Sequence, residues 1–182
     1  MSEIEKQLTN LTLAPWIIQA TALRCKRRLV GGNMFYHQMA TLSVLLHFGH
    51  IKNYILLKAS CIHDLIEDIP ETNQAYLRTM DADANDVVDL VLEVTRRQFE
   101  SKTEFLQRIL ETGSENALLL KTADRISNLI ETNSDIYNRE KIKRYLEETE
   151  AYVVPMAKKV DQNMLTELIE LILSRKKIIS KK

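Results

Sequence analysis

An all-α fold is what the sequence predicts, on three observations. Four glycines and three prolines in 182 residues make up about 4% of the chain, against roughly 12% in average usage. Sheet-rich folds need many tight turns, so this scarcity favours long helices with short connections. Apolar residues recur at helical spacing, as in Ile55, Ala59, Ile62 and Ile66. The composition, 45% hydrophobic and 27% charged, is that of a globular chain with a real core.

Taken in order, Thr12 is placed to cap a first helix with Pro15 in its first turn, running to about Val30, where Gly31-Gly32 breaks it. A second helix starts near His37 and stops at Gly49, a natural C-terminal glycine. Asn53 caps the third, which Pro70 ends two residues after Asp68. A short helix follows over about 71–80. Asp83 or Asn85 starts the next, with Val87, Leu90, Val91 and Val94 on one face. Further helices are expected at about 101–112, 114–133 and 139–153. Pro155 kinks or restarts the chain, and a last helix over about 162–178 carries Leu165, Leu168, Ile169 and Ile172 on one stripe. No linker, repeat or composition shift marks a boundary, so residues 1–182 read as one orthogonally packed helical domain.

Charge and cysteine content narrow the class. Lys and Arg number 25 and so do Asp and Glu, for a net charge of zero, which argues against binding nucleic acid through bulk positive charge and against disorder. Cys25 and Cys61 lack metal-type spacing and read as reduced thiols. The opening MSEIEKQLTN has no apolar signal region, and no apolar run approaches the ~18 residues of a membrane span. A cytoplasmic protein without membrane partners is expected; its oligomeric state is left open.

Chemistry concentrates in Cys61-Ile62-His63-Asp64-Leu65-Ile66-Glu67-Asp68. Helical spacing sets His63 one turn before Glu67 and Asp64 one turn before Asp68. Burying so many carboxylates together is costly unless a cation compensates, and a divalent metal held by His63 and Asp64 would do so, with Glu67 and Asp68 placed to handle a water. Two acids near a helix end also form a solvated face, and that alternative stands. A second segment places Asp124 within an apolar helix, with Asn128 one turn on; it either ligates or pairs with Lys121 or Arg125 at the surface. His37, after Gly31-Gly32, is a third candidate. His47 and His50 flank Gly49 and are better read as imidazoles favouring a helix C-terminus.

Together the order His37, His63-Asp64, Glu67-Asp68, Asp124 and Asn128, in the segments GGNMFYH, ASCIHDLIED, VVDLVLEVT and LLLKTADRISN, resembles the HD-domain metal phosphohydrolases. More narrowly, it resembles the hydrolase domain of the Rel/Spo family and its stand-alone members, the small alarmone hydrolases, including the Mesh-type enzymes. The resemblance covers about residues 20–133, with a helical C-terminal extension over 134–182, and a hydrolase-only protein, without the synthetase domain of the long relatives, is expected from a length of 182 residues. It implies an HD-domain helical bundle, with His37, His63, Asp64 and Asp124 as ligands of Mn²⁺. Two imidazoles and two carboxylates with positions left for water suit that ion better than closed tetrahedral zinc. It implies that Glu67 and Asp68 orient or deprotonate the water, and that Asn128 contacts substrate. Arg24, Lys26, Arg27 and Arg28 fall where the family places basic residues near the nucleotide, and Arg96 and Arg97 near a position where relatives often carry Lys.

The implied reaction is hydrolysis of the 3′-pyrophosphate of (p)ppGpp to GDP or GTP and pyrophosphate. The chain departs from the family's pattern in Met34-Phe35-Tyr36 before His37, with no Pro after it, in Asp83-Ala84 for Phe-Gly, and in Ser127 and Ile130 around Asn128. These departures bear on the nucleotide rather than the metal. The rival expectations are an HD hydrolase for an adenine alarmone or a nucleoside monophosphate, and a non-catalytic module that binds a nucleotide or a protein.

Overall fold

A computed structural model describes residues 12–132 and 138–180. The N-terminal decapeptide, residue 133 and Lys181 and Lys182 therefore lie outside the described residues. Those described are helical, with no strand among them and one isolated bridge, Arg27 to Asn33. They fall into two compact units: residues up to Arg28 with Gly32–Arg96, and Leu29–Gly31 with the residues from Arg97 on.

In the first unit, α1 (Ala14–Ala20) starts after Leu13 rather than at a Thr12 cap, with Pro15 in its first turn. It tightens at once into a 3₁₀ turn, Thr21–Cys25, instead of continuing to Val30. The cause is local: the Thr21 hydroxyl donates to the Ile18 carbonyl at 2.6 Å and the Cys25 thiol to that of Ala22 at 3.3 Å. Such back-bonds over three residues compete with the α-helical ladder. Helix α2 (Met34–His47) begins earlier than expected because the Asn33 side chain accepts from Tyr36 N–H. It ends in Gly49 at φ 84°, with His50 N–H reaching the Leu45 carbonyl at 3.1 Å, the six-to-one bond of a glycine C-cap.

Asn53 caps α3 (Tyr54–Ile62) as expected. This helix is the hub of the unit, packed by α1, α2 and α6 (Ala84–Val94), with every residue from Leu56 to Ile62 buried. That includes Lys58, whose ammonium lies 2.6 Å from Asp83 and 3.1 Å from Asp81. Asp81 also accepts from the Trp16 indole at 2.8 Å. Burial pushes the Asp81 carboxyl up, but Trp16 and Lys58 outweigh it and hold it below the ordinary range. Two short helices, α4 (Leu65–Asp68) and α5 (Gln74–Leu77, capped by Asn73), complete the unit. Ile69, ahead of Pro70, leaves the helical region at φ −122°, ψ 87° and closes α4.

In the second unit, α7 (Lys102–Thr112) opens with a reciprocal Ser101–Glu104 capping box. Helix α8 (Glu115–Glu131) is the hub, packed by α7, α10 (Val154–Val160) and α11 (Gln162–Ser180). Arg175 of α11 donates to the Leu129 and Ile130 carbonyls at the end of α8, in the last turn where the helical ladder runs out of donors; Leu129 also accepts from Thr132 N–H at 3.2 Å. Helix α9 stops at Glu148 (Arg139–Glu148) and runs into a π turn, Thr149–Val153, rather than continuing to 153. Pro155 supplies no N–H and its ring crowds the carbonyl four residues back, which widens the coil there.

Candidate metal centre

Three of the expected ligands converge inside the first unit. His37 sits in the first turn of α2, buried to 2% exposure. His63 and Asp64 occupy a break between α3 and α4 rather than one continuous helix: Asp64 has φ −99°, ψ −2°, the bridge region where active-site residues often sit. The helical offset from Asp64 to Asp68 survives the break, because Asp68 N–H still reaches the Asp64 carbonyl at 2.8 Å.

The Ser60 carbonyl lies 2.9 Å from His63 Nδ1. A carbonyl only accepts, so Nδ1 carries the hydrogen and Nε2 is the ligating nitrogen. His63 Nε2 is 3.2 Å and His37 Nε2 3.6 Å from the same oxygen, Oδ2 of Asp64. The imidazole centroids are 5.2 Å apart and their planes 69° from parallel. Electron-rich nitrogens and a carboxylate oxygen gathered this closely, in buried surroundings, are stabilised by a positive charge. The donor set fits a divalent cation, with two imidazoles and a carboxylate and the second ring nitrogen of His63 fixed by a backbone carbonyl.

Sequence reasoning missed Gln38. It is fully buried, and its Nε2 donates to Asp64 Oδ2 at 2.9 Å while its Oε1 accepts from Asp64 N–H at 3.5 Å. The signal was an amide on the buried stripe that continues through Thr41, Leu42 and Leu45.

Asp68, half-buried, belongs to the same neighbourhood. Burial raises its carboxyl above the ordinary value, the Asp64 charge adds to this and Glu67 does so further, while Lys26 and His63 lower it. Glu67 is exposed and accepts from Arg96 N–H at 3.3 Å, with the Arg96 guanidinium 3.9 Å away. Lys26 and Arg27 are exposed and Arg28 half-buried; Lys26 and Arg28 join the glycine turn through backbone bonds to Met34 and Gly32. The Arg24 side chain bonds the Thr21 carbonyl of its own turn. His47 is exposed beside Phe48 at the α2 terminus.

In the second unit, Asp124 is buried on α8 and held from both sides. Lys121 Nζ donates to Oδ2 at 2.7 Å and Asn128 Nδ2 to Oδ1 at 2.6 Å. Asp124 thus pairs with Lys121, but inside the unit and not at the surface as the pairing alternative had it. Arg125 is committed elsewhere, stacked on Tyr145 with its carbon 4.0 Å from the ring centroid and bonded to Glu148 and Thr149. Arg97 is exposed, its backbone N–H bonded to Glu100.

No family model and no curated protein matches the chain. Among solved structures, it is similar to one described as a metazoan ortholog of SpoT that hydrolyzes ppGpp and plays a role in starvation responses, with a TM-score of 0.76 and 22% identity over 90% of this chain and 95% of that one. The chain shares its fold with that protein. The all-α HD-type fold expected from the motifs holds, although the sequences differ at most positions.

Proposed function

We propose that the chain is a metal-dependent hydrolase that removes the 3′-pyrophosphate of (p)ppGpp, and that both units serve one HD-type domain over residues 1–182. The observation that carries this reading is the gathering of His37, His63 and Asp64 around one carboxylate oxygen, on a fold shared with a protein that hydrolyzes ppGpp. Asp124 is the fourth ligand in this proposal; His37, His63 and Asp124 are all buried and each offers a ligand atom. The ion is Mn²⁺, which the mixed imidazole and carboxylate set suits. When bound, such an ion lowers the pKa of a water and offsets charge developing on the phosphoryl group.

The chain's residues divide the remaining work. Glu67 and Asp68 orient the attacking water and take its proton, as carboxylates set beside the proposed ion can. The water oxygen bonds to the phosphorus next to the ribose, the bond from that phosphorus to the 3′ oxygen breaks, and a proton restores the 3′ hydroxyl. Water and ppGpp thus become GDP and pyrophosphate. Lys26, Arg27, Arg28 and Arg97 meet the substrate's phosphates, and Asn128 contacts the substrate besides bracing Asp124. No helix among the described residues is long and apolar enough to cross a membrane; with two free thiols, a cytoplasmic location fits this reading.

The test is a substrate panel with Mn²⁺ and product identification. Pyrophosphate released from ppGpp supports the proposal. Turnover only of an adenine alarmone, or orthophosphate from a nucleoside monophosphate, favours another nucleotide, to which Ser127 and Ile130 beside Asn128 lend weight. No turnover of any of these sinks the hydrolase reading. Asp64→Ala is expected to abolish Mn²⁺ binding, and Glu67→Gln to keep it while losing roughly 10²- to 10⁴-fold in turnover.

A further inference from the structure

We propose that Gln38 is a positioning residue for the cation site, acting through Asp64; this rests on the metal-centre reading above. Gln38 belongs to the buried stripe of α2, where Leu42 and Leu45 show what the position would otherwise hold. A fully buried glutamine loses most of its side-chain freedom and must have its amide satisfied. Here both ends of the amide meet one residue: Nε2 donates to Asp64 Oδ2 and Oε1 accepts from Asp64 N–H.

Asp64 needs such support. It lies in the break between α3 and α4, where no continuous helix fixes its direction, and its side chain is still 27% exposed. The oxygen that Gln38 holds is the one facing both imidazoles, at 3.2 and 3.6 Å. A carboxylate oxygen accepts in more than one direction, so this bond orients Oδ2 without removing its capacity to ligate. A bond of this kind to a ligating carboxylate raises metal affinity by preorganisation, an effect of typically 10- to 100-fold.

The probe is Mn²⁺ itself, titrated against the full-length protein by electron paramagnetic resonance of the free ion. Gln38→Met, close in shape but unable to bond, is expected to weaken Mn²⁺ binding by roughly 10- to 100-fold. The Mn²⁺ concentration for half-maximal pyrophosphate release should rise in parallel, with the nucleotide KM at saturating Mn²⁺ unmoved. A residue that merely filled the core would lower the melting temperature without this selective loss. Should Gln38→Met fail to fold, Gln38→Ala takes its place. A folded variant of either kind that binds Mn²⁺ like the parent overturns the positioning role while leaving the metal centre standing. A parent protein that binds no Mn²⁺ overturns both.

Discussion

Asp68 keeps its proton more readily than an exposed carboxylate because burial, and then the neighbouring Asp64 charge, disfavour its ionised form; Lys26 is the main opposing charge. A group that must take a proton from water works only when ionised, so activity falls as pH drops through its pKa. Removing a positive neighbour disfavours the carboxylate further. Lys26→Met is therefore expected to move the acid limb of kcat/KM to higher pH, read from a pH–rate profile, and an unmoved limb would mean that Lys26 does not act on Asp68. At this scale the sequence was informative where chemistry has a fixed spelling. His37, His63 and Asp64 could be picked out and do converge. Gln38 could not, since a glutamine has no motif and its role arises from α2 meeting the α3–α4 break. Asp124 does bond Lys121, but from a buried position rather than the exposed one that the pairing alternative assumed, and the bond does not decide against its ligand role.

A cap is a local event, and the one at Asn53 was legible, whereas Thr12 and Asp83 make no side-chain cap; the starts near 101, 114 and 139 were placed closely without their caps being read. Asn53, Asn73, Ser101, Ser114 and Asn138 each accept from a backbone N–H three residues on. Helix interiors that change type were not legible. The 3₁₀ turn after α1 and the π turn before Pro155 depend on side-chain back-bonds and carbonyl crowding that apolar periodicity does not register. The same applies to the break at His63-Asp64, where the spacing was read as one helix. Of the caps, Ser101 has the strongest claim to a measurable share of stability, since its bond is reciprocated by Glu104. Ser101→Ala is expected to cost about 1 kcal/mol, measured as a lower denaturant midpoint at unchanged m-value.

For the whole molecule, neutrality conceals an uneven distribution. Of 25 basic residues, four lie between Arg24 and Arg28 and five between Arg175 and Lys182, whereas Asp64, Glu67, Asp68 and Asp124 belong to the proposed centre. Acids gathered at an ion site repel one another until the charge arrives, so the ion should act as a stabilising ligand. At a concentration 100 times its Kd, Mn²⁺ would add about 2.7 kcal/mol. For a chain of this size that raises Tm by roughly 5–10 °C, checked by thermal melts with Mn²⁺ and with chelator; coincident melts would argue against a preformed centre. Scarce Gly and Pro foretold the absence of strands among the described residues, but not the division into two units, which rests on contacts distant in the chain. The two thiols divide along similar lines. Cys61 is enclosed within α3 and its pKa is pushed up to about 12 by burial, while Cys25 lies exposed at the end of the 3₁₀ turn, next to Lys26. Since only the thiolate attacks an alkylating reagent, a maleimide dye or spin label would attach at one place in the unaltered protein, giving a reporter on the basic segment without engineering.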